Sequence, residues 1–197
     1  MKLYINTTSP FVRPVRIAIA EKGLDVETEI VDPWGDPPDF LTANPAGRVP
    51  TLVCDTGDAI AESGLILRYL DQAAPNPPIF PAEDLARTLA HAAPTLGAIE
   101  AATAIIIGRK SSAGFDTDMV GTKRHRTMAS GLARLDSDLP REFADRPDIA
   151  NILAVTAIDY ITFRFPERDW LADLPRLKAW RDRQETRPSV SATKPYI

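Results

Sequence analysis

The chain has 197 residues, 44% hydrophobic and 25% charged, with a formal net charge of −4. This is ordinary globular composition, long enough for one large or two small domains with a real core, and its acidic balance gives no reason to expect nucleic acid or an anionic membrane as a partner. The single cysteine, Cys54, excludes an intrachain disulfide and a multi-cysteine metal site.

The opening MKLYINTTSP lacks a signal-peptide pattern, and no run reads as long enough to span a membrane, so a soluble cytoplasmic protein is expected. Lys2 to Asn6 predicts a short strand with Leu3 and Ile5 on one face and Tyr4 on the other. Thr7-Thr8-Ser9-Pro10 predicts a helix start, Ser9 suiting the N-cap and Pro10 the first helical position. Val12, Val15, Ile19 and Ala20 follow at helical spacing, and Gly23 closes the helix. In that register Pro14 falls just past the first turn, and a distorted first turn is expected. Val26 to Val31 predicts a second strand; a proline-rich connection from Asp32 to Asp39 leads to a short helix near Phe40 to Ala43.

The stretch from Gly47 to Ser63, GRVPTLVCDTGDAIAES, is the centre of the reading. Val49 to Cys54 predicts a strand whose second residue is a proline, and proline cannot donate to a sheet ladder. A cis peptide at Val49-Pro50 is one reason for it to stand there, leaving the Val49 backbone to pair with a peptide-like ligand. A turn at Asp55 to Asp58 and a second short run complete a hairpin, and Glu62-Ser63-Gly64 opens a helix running to Gln72. The order is β-α-β-(α)-β-β-α, with one parallel pair and one hairpin.

At Ala73 the character changes. AAPNPPIFPAED reads as an ordered linker. Four helical segments follow: Glu83 to Lys110, Asp118 to Asp138, Ile149 to Phe165 and Leu174 to Thr186. The architecture expected from the residues is a mixed α/β domain joined to an all-α domain.

SPFVR after the first strand, NPAGRVPTL, AIAES and the helical second half together resemble a bacterial glutathione S-transferase. That resemblance implies a thioredoxin-like glutathione-binding domain over residues 1–74, a linker over 75–83 and an all-helical domain over 84–197. It also implies a homodimer, and glutathione as co-substrate with no metal. Carried residue by residue, the Val49 backbone beside Pro50 would bond the cysteinyl part of glutathione like an added strand. Ser63 and the amides after it would hold the γ-glutamyl carboxylate, Glu62 the γ-glutamyl ammonium and Arg48 the glycyl carboxylate. Ser9 would donate to the glutathione sulfur, with Thr8 the alternative donor. Ser9 stands where thiol-transferring relatives carry a cysteine, which disfavours disulfide-exchange or dehydroascorbate-type chemistry and favours plain conjugation or thiol addition; the resemblance implies a role in detoxification.

Simpler readings stand beside these. Ser9 is equally an N-cap, and Glu62-Ser63 a well-capped helix start. Cys54 reads as a buried small hydrophobe; His91 and His125 lack a partner at metal-ligand spacing, and Lys123 to Arg126 reads as a solvated helix face. Trp34 either flanks the glutathione site or covers the core. Asp148 is a competent N-cap, but Asn151 replaces the acid usual in the family's capping box, so a less firmly pinned helix is expected there. The electrophile pocket is expected between the Ser9 loop and the Glu83 to Lys110 helix, whose Ala101, Ala102, Ala104, Ile105 and Ile106 suggest a small apolar substrate. Two rivals to a transferase remain: a catalytically silent adaptor that binds polymerase or other proteins, and a glutathione-dependent isomerase or dehalogenase.

Overall fold

The computed structural model describes residues Met1–Ile197. They form two compact units, one of Met1–Phe80 with Pro188–Ile197, the other of Pro81–Arg187.

The first unit is built on a four-stranded sheet of order β2-β1-β3-β4. The strands are β1 (Lys2–Ile5), β2 (Glu27–Ile30), β3 (Thr51–Val53) and β4 (Ala59–Ala61). β1 runs parallel to β2 and antiparallel to β3, and β3 and β4 form the hairpin. Helices α1 (Val12–Glu21), α2 (Pro38–Ala43) and α3 (Ser63–Ala73) complete the expected order. Both faces of β1 are covered, which is why Leu3, Tyr4 and Ile5 are all buried. Tyr4 joins Val31 and the Phe40 of α2, ring centroids 5.4 Å apart, while Leu3 and Ile5 point to the opposite face.

α1 starts later than the sequence suggests. Ser9 sits in a turn ahead of it, and the helix proper begins at Val12. The Arg13 amide already bonds the Ser9 carbonyl at 3.3 Å. Pro14 has no N–H to continue that ladder to Pro10, so the opening turn is irregular, as expected, and the regular helix is counted from Val12. Gly23, at φ 61°, closes the helix as expected, its N–H donating to the Ala20 carbonyl.

Lys22 follows α1 with its side chain buried, against expectation for a lysine. Its three donors are all used: Asp71 Oδ1 at 2.9 Å, the Ala74 carbonyl at 2.6 Å and the Pro77 carbonyl at 2.8 Å. Asp71 in turn accepts the amides of Ile79 and Phe80. A buried ion pair holds only when its remaining valences are met, and here they are. The proline-rich segment after α3 is thus clipped to its own unit.

Pro188–Ile197, read with the helical domain from sequence, groups with the first unit. The cause is a set of bonds to α1. Arg13 donates to the Val190 carbonyl at 3.2 Å and to Thr193 Oγ1, Arg16 donates to the Ala192 carbonyl, and Ser189 donates to Glu21. The short helix α8 (Pro188–Ser191) lies there.

The second unit comprises α4 (Leu85–Ser111), α5 (Met119–Ser137), α6 (Ile149–Arg164) and α7 (Pro175–Gln184). Within the helical stretch Ala82–Ser111 an 18-residue window of mean hydropathy 1.4 meets the length and composition of a membrane-crossing helix, correcting the reading that no run does. It buries Ala98, Ile99, Ala101, Ala102 and Ile105, packing on α5 and α6 as a bundle helix does. Ala104 and Ile106, by contrast, are only partly buried. At Gly131 of α5 an added Cβ would stand 2.7 Å from Ala98 Cβ and 2.9 Å from the Pro94 carbonyl, so α4 and α5 touch backbone to backbone.

α6 is buried on nearly all sides, and its start is firmly pinned. Asp148 Oδ1 accepts the amides of Ala150 (3.0 Å) and Asn151 (3.1 Å), while Asn151 Oδ1 accepts the Asp148 amide at 2.9 Å. The expectation of a weakened box is corrected. Asn151 supplies the same acceptor as an acid, and its Nδ2 adds a bond to the Arg146 carbonyl that no carboxylate could donate.

Candidate functional site

The sheet register brings three segments to one end of the first unit. Thr51 pairs with Tyr4 on one side and Ala61 on the other. The loop following β1 (Asn6 to Phe11), the loop preceding β3 (Arg48 to Pro50) and the residues following β4 (Glu62, Ser63) therefore leave the sheet side by side. The Val49–Pro50 peptide is cis, as the sequence analysis expects. Val49 stands outside the ladder, whose β3 pairs begin at Thr51.

Glu62 and Ser63 do not behave as an ordinary helix start. Glu62 occupies the N-cap position of α3 at φ 71°, in the region that favours glycine, and makes no side-chain capping bond. A non-glycine residue held there stores roughly 1–3 kcal/mol of strain, and such strain concentrates at functional sites. The Glu62 carboxylate instead lies 3.5 Å from Arg48, both side chains being exposed. Ser63 follows as the first helical residue, in the stretch whose amides have no intrahelical acceptor. Glu62→Gly is expected to raise the thermal midpoint by about 2–4 °C, equivalent to about 1 kcal/mol. A midpoint unchanged or lowered in a thermal melt would mean that no strain is stored there.

The two hydroxyls near α1 are in different states. Thr8 Oγ1 donates to Asn6 Oδ1 at 2.8 Å, and the Thr8 amide bonds the same oxygen at 3.0 Å, so the threonine proton is committed. Ser9 Oγ accepts from the amides of Phe11 (3.3 Å) and Val12 (3.4 Å). That is the capping role, and it leaves the serine proton to be donated elsewhere. Capping and donation are compatible because they use opposite sides of one oxygen.

Behind the site lies a pair that the sequence reading passed over. Asn44 and Thr51 are buried, and both donate to the Arg48 carbonyl, at 2.9 and 2.8 Å. Asparagine at the end of a short helix gives no local sign of that role.

The remaining singled-out residues lie elsewhere or serve the fold. Trp34 is 66% exposed and does not cover the core. Cys54 is buried beside Tyr69, whose pKa is pushed up by its hydrogen bond to the thiol. His91 pairs with Asp138, and His125 sits edge-on to Phe165 with Asp116 3.7 Å away. No group of three or more His, Cys, Asp or Glu side chains is arranged to hold a metal ion.

Comparison with known proteins bears on the family and the fold. Residues 8–73 match the family described as glutathione S-transferase, N-terminal domain, and residues 120–183 the family described as glutathione S-transferase, C-terminal domain. A glutathione S-transferase from Methylobacterium radiotolerans, solved in complex with glutathione sulfonate, superposes with a TM-score of 0.89 at 31% identity, over 100% of this chain and 95% of that one. A maleylacetoacetate isomerase of Pseudomonas aeruginosa is 28% identical over 99% of this chain and 96% of its own length. A stringent starvation protein A homolog of Pasteurella multocida is 41% identical over 87 residues, a match covering 44% of this chain and 41% of that relative. With both family domains present in order, and a solved member lying over all of its length, the chain belongs to the glutathione S-transferase superfamily.

Proposed function

We propose that the protein is a glutathione transferase that presents the glutathione thiolate to a small apolar electrophile, acting as a cytoplasmic homodimer. The observation that carries the reading is Glu62, held at φ 71° without a capping bond. The Glu62 carbonyl accepts the Leu65 and Ile66 amides as any N-cap carbonyl would, so neither the strain nor the uncapped side chain is needed to start the helix, and a ligand is the reading that explains both. Glu62 is assigned to the γ-glutamyl ammonium, Ser63 and the first α3 amides to the γ-glutamyl carboxylate, and Arg48 to the glycyl carboxylate. The backbone of Val49, beside Pro50, is assigned to the cysteinyl part. Ser9 is the proposed donor to sulfur, preferred over Thr8 because the Thr8 proton already goes to Asn6. Residues 1–74, 75–83 and 84–197 keep their proposed roles as glutathione-binding domain, linker and helical domain, the last ten residues packing back on the first unit.

The test is calorimetric titration with glutathione. Wild type is expected to bind in the micromolar-to-millimolar range, and Ser63→Ala about tenfold more weakly, the loss of one hydrogen bond to a charged group. Failure of folded wild type to bind would end the transferase reading and favour the silent adaptor.

A second reading has support of its own. The likeness to a maleylacetoacetate isomerase runs along nearly the whole chain. A glutathione-dependent isomerase would use the same pocket and return glutathione unconsumed, so steady-state loss of free thiol separates the two.

A further inference from the structure

We infer that Asn44 and Thr51 are positioning residues for the ligand-binding amide of Val49, an inference that rests on the glutathione reading. Both side chains are more than nine-tenths buried. Asn44 Nδ2 donates to the Arg48 carbonyl at 2.9 Å and to Thr51 Oγ1 at 3.0 Å, and Thr51 Oγ1 donates to the same carbonyl at 2.8 Å. Asn44 is itself fixed, its Oδ1 accepting the Ala46 amide at 3.1 Å and its own amide bonding the Phe40 carbonyl at 2.8 Å.

The consequence follows from peptide planarity. The Arg48 carbonyl and the Val49 N–H belong to one peptide unit, which is trans, the cis bonds being Val49–Pro50 and Asn76–Pro77. In a planar trans peptide the C=O and the N–H point in opposite directions. Two buried donors drawing the Arg48 carbonyl inward therefore aim the Val49 N–H outward, on a loop with no ladder partner of its own. An exposed loop amide would otherwise need ordering each time an extended peptide-like ligand offered it a carbonyl, and that ordering costs affinity. Thr51 is the fulcrum, because its place in β3, opposite Tyr4 and Ala61, is set by the sheet.

Thr51→Val keeps shape and β-branching and deletes the hydroxyl, whereas Thr51→Ser keeps it. Glutathione affinity is measured by calorimetry on wild type, both variants and Ser63→Ala, with a thermal melt of each. The expected result is about fivefold weaker binding in Thr51→Val, restored in Thr51→Ser, with Thr51→Val still folded at the titration temperature. Should Thr51→Val not fold, Thr51→Ala takes its place in the same comparison. Wild-type affinity in the variant lacking the hydroxyl, or equal weakening in both variants, overturns the inference while leaving the site intact, provided Ser63→Ala still binds more weakly. No binding by wild type overturns the glutathione reading itself and this inference with it.

Discussion

Replacing Asp148 by alanine is expected to destabilise the protein by about 3 kcal/mol, read as a fall of about 6–12 °C in thermal midpoint. One acceptor serving two amides is removed. Those of Ala150 and Asn151 are left without a partner in a buried helix start, where each unsatisfied donor costs about 1–3 kcal/mol, against the roughly 0.5–2 kcal/mol of losing an ordinary N-cap. Asp148→Asn keeps an acceptor oxygen and is expected to lose much less. A midpoint within about 2 °C of wild type in Asp148→Ala would mean that tertiary packing alone holds α6. The carboxyl also gives a pH signature. Burial pushes its pKa up, opposed by the two amide bonds and by Arg146 and Arg141. Folded protein therefore binds this proton more tightly than unfolded chain. The stability it contributes is full below the ordinary carboxylate range and is lost as pH rises through the raised value.

The second large effect is at Ser9. Ser9→Ala is expected to lower the rate of thiol conjugation by roughly a hundredfold, about 2.7 kcal/mol, as when one donor to a developing or bound anion is removed. Thr8→Val is expected to change it less than about threefold, because the Thr8 proton serves Asn6. The thiolate absorbance of bound glutathione, followed against pH, is the direct measure. In Ser9→Ala the bound thiol is expected to titrate closer to the ordinary cysteine value of about 8.5. The reverse pattern, with Thr8→Val inactive and Ser9→Ala active, would transfer the role to Thr8. Ser9→Ala also removes the acceptor for the Phe11 and Val12 amides, so its thermal midpoint is to be read separately from its rate.

What the sequence made legible was local. The cis Val49–Pro50 bond, the hairpin after it and the closure of α1 at Gly23 follow from proline and glycine chemistry within a few residues. Element order followed from hydrophobic spacing, and the family from motifs in sequence. What it concealed was long-range or strained. Lys22 reads as a surface lysine because Asp71 and the carbonyls that bury it lie about fifty residues away. Arg13 reads as an exposed helix residue because Val190 and Thr193 are distant in sequence. Glu62 reads as a helix-opening acid, since nothing in the letters GLU-SER-GLY reveals a positive φ. At Ser9 the residue type suits capping and donation alike, and the bond from Thr8 to Asn6, which favours Ser9 as the proposed donor, is not readable from residue type.

The bonds from Arg13 to Val190 and Thr193 bear on how the chain matures during synthesis. Domains ordinarily fold in the order in which they emerge, the N-terminal one first. Here the thioredoxin-like unit is interrupted by the helical one, residues Pro81–Arg187, before its final segment is made. Until that segment emerges, the buried guanidinium of Arg13 lacks the carbonyl and hydroxyl that receive it. The nascent first unit must wait, incomplete, while the helical unit is translated in full.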